Sequence, residues 1–498
     1  MADVVGARPH PPGEYPIVIV GSGPGGLQIA YLLRRSGITF AHISRDPEPG
    51  GMFRTLPVFD RLLSWSKPAP APGPGVRGEA WYDWNLLLAD DAHRVAVSDM
   101  MSSPGIFPSR QELSRALAAF AERSRLTIRY QCEWTGTRID QGKFVLETAD
   151  GEYRSKVVVL ATGMSLPWFP KVPGIEHAIG YAEIGDPNGY RNRRVLIIGK
   201  ENSGFEIADE LLPYAGQVVV AGPGPTRFTI TTGSFAGSRA RFDQTYEDHV
   251  VGGGSAVLDA SITSIQTKSG ELLADLRLGE IGRPLPLVVD DVVAATGFTS
   301  ELGDLRSLGL QTFARDRLPA QTPFWESASI PGIYFAGTLT QAARGLRKHG
   351  VPSTSASIQG FRYNAQIQAR HIAEQHFGVT PPRSLIDPPQ LRGFLLRAAS
   401  RSAGLMSQKG YLARVVAMKE GGLTHSGLQP LTAFLDGEGS ALAVAVEVGS
   451  DRSIQPVVYL RQATRVSEHI LDPHPLHDYE SDDHARQLDS ILAGWPLR

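Results

Sequence analysis

At 498 residues the chain is longer than one hydrophobic core usually supports, so two or three domains are expected. Its 49 basic and 51 acidic residues leave a net charge of -2, with no long run of either sign, which argues against a nucleic-acid ligand. No apolar run is long enough to cross a bilayer, residues 1–16 lack the basic start and apolar core of a signal peptide, and the single cysteine, Cys132, precludes an internal disulfide or a Cys-x-x-Cys pair. The expectation is a cytoplasmic protein with no membrane partner; composition says nothing of its oligomeric state.

In chain order, Ile17-Val18-Ile19-Val20 is a β-branched run of buried-strand type that leads into Gly21-Ser22-Gly23-Pro24-Gly25-Gly26 and an apolar-periodic segment over 27–35. Strand, glycine turn and helix in that order predict a dinucleotide site. Gly21 permits the tight turn, Gly23 lets backbone approach a pyrophosphate, and Gly26 lets helix and strand pack closely while helix amides face the anion. The next strand, Phe40-Ala41-His42-Ile43, ends near Ser44 and Asp46, either of which is placed to hydrogen-bond a ribose hydroxyl. Pro49-Gly50-Gly51-Met52-Phe53 follows at the distance where flavoproteins of this architecture pass a glycine pair close to the cofactor, which marks FAD rather than plain NAD. The Pro/Ala/Gly stretch 68–76 predicts a loop.

Val157-Val158-Val159-Leu160 ends in Ala161-Thr162-Gly163, and Asp291-Val292-Val293-Ala294-Ala295-Thr296-Gly297 nearly repeats it; each predicts a crossover between domains. Between them Val195-Leu196-Ile197-Ile198 enters a second turn, Gly199-Lys200-Glu201-Asn202-Ser203-Gly204, followed by helical spacing. Here the middle glycine has become Glu201. If it faces a pyrophosphate it adds like charge and bulk; if it points outward it caps the helix and leaves Gly199, Asn202, Ser203 and Gly204 to cradle a nucleotide. Arg191, Arg193, Arg194 and Arg227 are candidate cations for a 2′-phosphate. Gly332-Ile333-Tyr334-Phe335-Ala336-Gly337-Thr338 is a returning strand, and His349, in the Gly- and Ser-rich loop after it, is a candidate acid or base. A helix is expected from about 355 to 375, opening near Gly360 and Phe361. Breaks at Pro381-Pro382 and Pro388-Pro389 precede a tail with strands at 441–448 and 455–460 and with His469, His474, His477 and His484, read as surface groups because their spacing fits no metal site.

These pieces, in this order over about 16–373, resemble the flavin-containing monooxygenases and their two-dinucleotide-domain relatives. Asp83-Trp84-Asn85-Leu86-Leu87, Gly180-Tyr181, Leu346-Arg347-Lys348, Gly360-Phe361-Arg362-Tyr363 and His474-Pro475 are most similar to the FAD-dependent oxidoreductase domain-containing group, which includes the endoplasmic reticulum flavoprotein associated with degradation. The resemblance implies an α/β protein of two Rossmann-like domains with parallel sheets and a C-terminal α+β extension. The expected divisions are FAD domain 1–165, NAD(P)H domain 166–325, FAD domain resumed 326–380, and extension 381–498. It also implies that Gly337 and Thr338 return to the FAD, that the helix opening at Gly360 and Phe361 faces the flavin pyrimidine, and that Gly199, Asn202, Ser203 and Gly204 hold NADPH.

Two family features are missing. The monooxygenases carry a His in an FxGxxxH segment where residues 178–184 have none, and an Asn after the glycine-pair landmark where this chain reads Leu63-Ser64-Trp65-Ser66-Lys67. Ser66 or Lys67 is then the candidate to take that Asn's place. The leading expectation is a monooxygenase: NADPH reduces FAD, a flavin hydroperoxide forms with oxygen, and oxygen passes to a small organic substrate. Its rivals are a flavin oxidase or dehydrogenase with a degenerate second turn, and a flavin-binding protein without turnover. A dithiol-disulfide relay is rejected because Cys132 stands alone.

Overall fold

The computed structural model describes residues 8–71, 76–102, 104–232, 237–380, 382–419 and 422–495. The loop expected over 68–76 therefore lies partly outside the described residues, as do Pro381 and the first seven residues. The chain divides into two compact units, one of Met1–Arg54, Ser64–Met164 and Ser300–Arg498, the other of Thr55–Leu63 and Ser165–Thr299.

In the first unit four parallel strands lie in the order Ile333–Phe335, Val157–Leu160, Ile17–Val20, Ala41–Ile43. Their residues are buried on both faces, which is why they read as unbroken β-branched runs rather than alternating ones. One face (Ile17, Ile19, Val157, Val159, Tyr334) packs on helices Pro24–Arg35 and Ile358–Phe377 through Ile29, Leu33, Ala365 and Ile372. The other (Val18, Val20, Val158, Leu160, Phe335) packs on Phe144, Leu146 and Tyr153 of the sheet that includes Trp134–Asp140, Lys143–Thr148 and Gly151–Ser155. Leu302, Leu305 and Leu310 join that second cluster, which places 300–325 with this unit rather than with the nucleotide domain expected to run to 325.

The tail forms an antiparallel six-stranded sheet, ordered Ser384–Ile386, Gly422–Pro430, Leu412–Lys419, Ala441–Val448, Ile454–Gln462, Arg465–Ile470. Its core is not separate. Leu412, Leu442 and Val458 share one cluster with Trp325 and with Tyr363 and Ile367 of helix Ile358–Phe377, and Trp325 Nε1 donates to Tyr411 Oη at 3.1 Å.

The second unit is built on a seven-stranded sheet in which Ser255–Lys268, Gln217–Gly222, Arg194–Ile198, Asp291–Ala294 and Ile179–Gly180 run parallel, while Glu271–Leu278 and Arg283–Val289 extend it antiparallel. The mixed α/β class with parallel sheets is as expected. No helix among the described residues is long and apolar enough to cross a membrane.

Candidate functional site

The first glycine turn is defined by what its glycines touch. At Gly21, with φ +105, a Cβ would lie 2.6 Å from Ala161 O, and at Gly26 it would lie 1.9 Å from Gly21 O. At Gly25 it would lie 2.4 Å from Gly337 Cα, and at Gly51, with φ +59, 2.9 Å from Gly23 Cα. Three stretches far apart in sequence, the turn, Gly50-Gly51 and Gly337, therefore meet backbone against backbone. Gly23 differs: its φ of -69° suits any residue, and a Cβ there would find only Gly51 Cα at 3.7 Å and Gly50 O at 3.9 Å. A side chain there would make only ordinary contacts. Helix Pro24–Arg35 starts there with proline at its first turn and no acid near its amides, as an anion site requires.

Hydroxyls and one imidazole hold the turn. His42, fully buried, donates from Nε2 to Gly21 O at 2.9 Å, and burial lowers its pKa to about 4, so the ring is neutral. Ser22 and Ser44 share a hydrogen bond at 2.8 Å, and both lie 3.4 Å from Asp46 Oδ2. Ser44 is buried and Asp46 half-exposed, so Asp46 is the group with an accessible carboxylate and Ser44 its support. Thr162 donates to Glu301 O at 2.7 Å, and Thr338 Oγ1 lies 3.7 Å from where a Cβ on Gly163 would stand. Met52 and Phe53 occupy the short turn Gly51–Arg54, whose Phe53 N donates to Gly50 O.

Helix Ile358–Phe377 opens over a buried polar network missed in the sequence. Asn364 donates to Thr340 Oγ1 (3.0 Å) and Ser355 Oγ (2.9 Å), and Gln408 donates to Ser355 Oγ and Asn364 Oδ1 while accepting from Thr354 N. Gly360 serves this packing, since a Cβ would lie 2.2 Å from Thr354 O, and Phe361 is buried beside it. No local pattern marks these residues; Gln408 belongs to the tail.

The candidate catalytic side chains are not gathered. Ser66 is fully buried and donates to Asp83 at 2.6 Å while accepting from Asn85 Nδ2 at 3.0 Å. Asp83 accepts four backbone N–H bonds besides, from Asn85, Leu86, Val97 and Ser98; burial raises its pKa and these bonds oppose that. Arg362, also fully buried, donates to the carbonyls of Ala80, Asp83 and Leu86. Ser66 is thus a fastening point of the 80–98 loop. Lys67 rests its ammonium 5.4 Å from the Trp65 ring centroid, and His349 stands exposed at φ +50.

In the second unit the turn repeats the first. A Cβ on Gly199 (φ +123) would lie 2.3 Å from Ala295 O, and one on Gly204 2.0 Å from Gly199 O. Asn202 Oδ1 accepts from Arg239 N at 2.9 Å, and Ser203 is half-buried in the first turn of helix Asn202–Leu211. Glu201 occupies the N-cap of that helix without a side-chain capping bond, so the alternative in which it caps the helix is not realised. Its carboxyl reaches solvent yet is crowded enough to be raised, with the Arg227 charge opposing the shift. Arg193 and Arg194 are corrected too: they pair with Asp291 and with Asp290 and Glu271 at the start of strand Arg194–Ile198, the end remote from Gly199. At the Gly199 end stand Lys200, buried, donating to Gly224 O at 2.7 Å and paired with Asp259, and Arg227, whose charge acts on Glu201.

The sequence model of the pyridine nucleotide-disulphide oxidoreductase family matches residues 18–337, which takes in both turns. The chain belongs to that family. With this membership stands the reading of the chain as an FAD-dependent oxidoreductase. FAD-dependent oxidoreductase domain-containing protein 2 of Mus musculus is 26% identical over 464 residues, covering 83% of this chain. The chain spans 65% of that relative's length. Two solved structures share the fold: a bacillithiol disulfide reductase of Bacillus cereus (TM-score 0.55, 20% identity, 73% of this chain and 100% of that one) and a flavin-containing monooxygenase of Stenotrophomonas maltophilia (TM-score 0.53, 19% identity, 72% and 98%). The resemblance carried by Asp83–Leu87 and the other short motifs therefore holds at the level of family and fold.

Of the tail histidines read as surface groups, His484 is buried, with Nε2 3.0 Å from Asp472 O and Nδ1 2.7 Å from Ser481 Oγ. Among the described residues no three His, Cys, Asp or Glu side chains are grouped to hold a metal.

Proposed function

We propose that this chain is a monooxygenase that takes electrons from NADPH and inserts oxygen from O₂ into a small organic substrate, in the cytoplasm. The observation that carries the reading is the second turn: Gly199 is seated on Ala295 O as Gly21 is on Ala161 O, and Gly204 on Gly199 O as Gly26 is on Gly21 O, which supports two dinucleotide cradles in one chain. On this reading the residues of 1–165 and 300–380 hold FAD and 166–299 hold NADPH. The lone cysteine is buried, its thiol raised by burial, and offers no dithiol relay within the chain.

Bound at the first cradle, FAD would supply hydride acceptance and reaction with oxygen. The chain's part is binding and placement. The Gly23 face and helix amides take the pyrophosphate, Asp46 the ribose hydroxyls, and Thr338 a phosphate or ribityl oxygen. Fixed by Asn364 and Gln408, the opening turn of helix Ile358–Phe377 keeps its positive end rigid, which favours negative charge beside it. In the second unit Gly199, Asn202, Ser203 and Gly204 take the second pyrophosphate, and Lys200, released from Asp259, the 2′-phosphate. Ser66 spends its one donor on Asp83, so of the two candidates for the missing Asn's place Lys67 remains, with His349 as the separate candidate acid or base.

One observation favours a flavin oxidase that takes hydride from its substrate: Glu201 puts a carboxylate in the second turn. Anaerobic stopped-flow mixing separates the two. Prompt bleaching of the flavin by NADPH, with oxygen-18 from labelled O₂ in the product on aeration, supports the monooxygenase. Bleaching by substrate without nicotinamide supports the oxidase, and a flavin that neither reduces marks a binding protein.

A further inference from the structure

Helix Ile358–Phe377 carries Arg370, strand Leu412–Lys419 carries Arg414, and strand Gly422–Pro430 carries His425. The pairing of the two strands slips between Arg414↔Leu428 and Val416↔His425, leaving one extra residue on the second strand near Ser426 and Gly427. Such a bulge bends the strand and re-aims its side chains. Gly427 has φ +93, and a Cβ on it would lie 2.6 Å from Arg370 Nη1, so the guanidinium fills space that only glycine leaves. Phe394 of helix Leu391–Arg401 closes one side, its ring centroid 4.7 Å from that of His425 and 6.0 Å from Arg414 Cζ.

The three bases have donors to spare, and among the described residues no acid pairs with them. Arg370 gives Nε to Gln366 O at 3.3 Å and Nη2 to Leu428 O at 2.8 Å, both neutral carbonyls. Arg414 Nε and His425 Nδ1 are buried without any hydrogen-bond partner. Burial lowers the pKa of all three groups, the Arg414 charge lowers Arg370 and His425 further, and no carboxylate among the described residues acts against either guanidinium. Two crowded guanidiniums with an unfilled Nε–H are unfavourable unless a counter-ion is supplied. A planar guanidinium fork beside an imidazole N–H matches the oxygens of phosphate or carboxylate.

We propose that Arg370, Arg414 and His425 form a binding site for an oxyanion, the phosphate or carboxylate group of a small molecule, separate from both dinucleotide turns. Arg414 Nε–H and His425 Nδ1–H donate to the anion, Arg370 balances its charge, and Phe394 walls the site.

The test is calorimetric titration of the full-length, FAD-loaded protein at constant ionic strength, with inorganic phosphate in one arm and succinate in the other. The expected result is saturable binding of one equivalent of at least one anion; the arm that saturates at lower concentration names the source. Arg414→Gln should weaken it at least tenfold and His425→Gln severalfold, while Arg283→Gln, which removes an exposed charge on a strand of the other unit, should leave it unchanged. Arg414→Lys keeps the charge, loses the Nε donor, and should also weaken binding, which covers failure of the glutamine variant to fold. If neither anion saturates, or if Arg414→Lys and His425→Gln bind as the parent does, the site is refuted.

Discussion

Two neighbouring glycines make opposite predictions, and the pair tests whether the first turn is a ligand cradle or only a tight turn. At Gly25 a Cβ would stand 2.4 Å from Gly337 Cα and 2.6 Å from its amide nitrogen, both backbone atoms that cannot swing aside. Gly25→Ala must push the strand end at Phe335 away from the helix start, and overpacking of this kind costs about 1–3 kcal/mol before any cofactor is considered. At Gly23 the nearest atoms to a Cβ are 3.7 and 3.9 Å away, ordinary contact, and the backbone already has φ -69° and ψ 177°. Gly23→Ala therefore leaves the apoprotein at least as stable as the parent, and the lost freedom of the unfolded chain adds roughly 0.4–1 kcal/mol.

With flavin present the order reverses. A methyl group on the open face of Gly23 occupies the space a pyrophosphate needs, so FAD affinity should fall at least tenfold although nothing in the protein is disturbed. The measurements are calorimetric melting of both apoproteins and quenching of FAD fluorescence on titration. A Gly23→Ala protein that binds FAD as tightly as the parent would refute the assignment of that face to the cofactor, whatever Gly25→Ala does.

Glu206 lies buried on helix Asn202–Leu211, accepting from Tyr181 Oη at 2.5 Å, and burial raises its pKa to about 7. Because the folded pKa exceeds the unfolded one, stability is lost as pH rises from about 4.5 through 7; Glu206→Gln should be near neutral at pH 5 and stabilise by up to about 3 kcal/mol at pH 8, read by urea unfolding at both pH values. Glu201→Gln should tighten NADPH binding severalfold in equilibrium dialysis if the carboxylate meets the pyrophosphate, and an unchanged constant would place it in solvent. Ending the chain after Pro389 removes Leu412, Leu442 and Val458 from the cluster they share with Trp325, Tyr363 and Ile367, each buried side chain being worth about 1.5–3 kcal/mol, so the shortened protein should lose its flavin and precipitate; a shortened protein that melts like the parent refutes the shared core.

What could be read in advance, and what could not, follows from the range of the interactions. Gly21, Gly26, Gly199 and Gly204 were legible because each is required by backbone it meets at a strand end, and the strand–turn–helix order announces that meeting. Gly25 carries the same kind of requirement toward Gly337, but nothing near Gly25 says which distant strand arrives there. Arg193 and Arg194 show what strand polarity alone indicates: they lie at the start of the strand that Gly199 follows, and a strand of five residues keeps its two ends roughly 13–17 Å apart. Lys200, the next residue after that strand's glycine, lies at the opposite end.

The place of Ser66 is illegible in the sequence for a different cause. A hydroxyl has no chemistry of its own until its partner is known, and the partner, Asp83, is recruited by a loop whose four other N–H donors converge on the same carboxylate. Ser44 and Asp46 illustrate the converse. The sequence leaves them as equals because both follow the same strand; burial separates them, since the Ser44 hydroxyl is sealed between Ser22 and Asp46 while the carboxylate is half in solvent. A polar residue beside a nucleotide turn is therefore assigned by which of its atoms remains open once its neighbours are satisfied, and that accounting needs the fold.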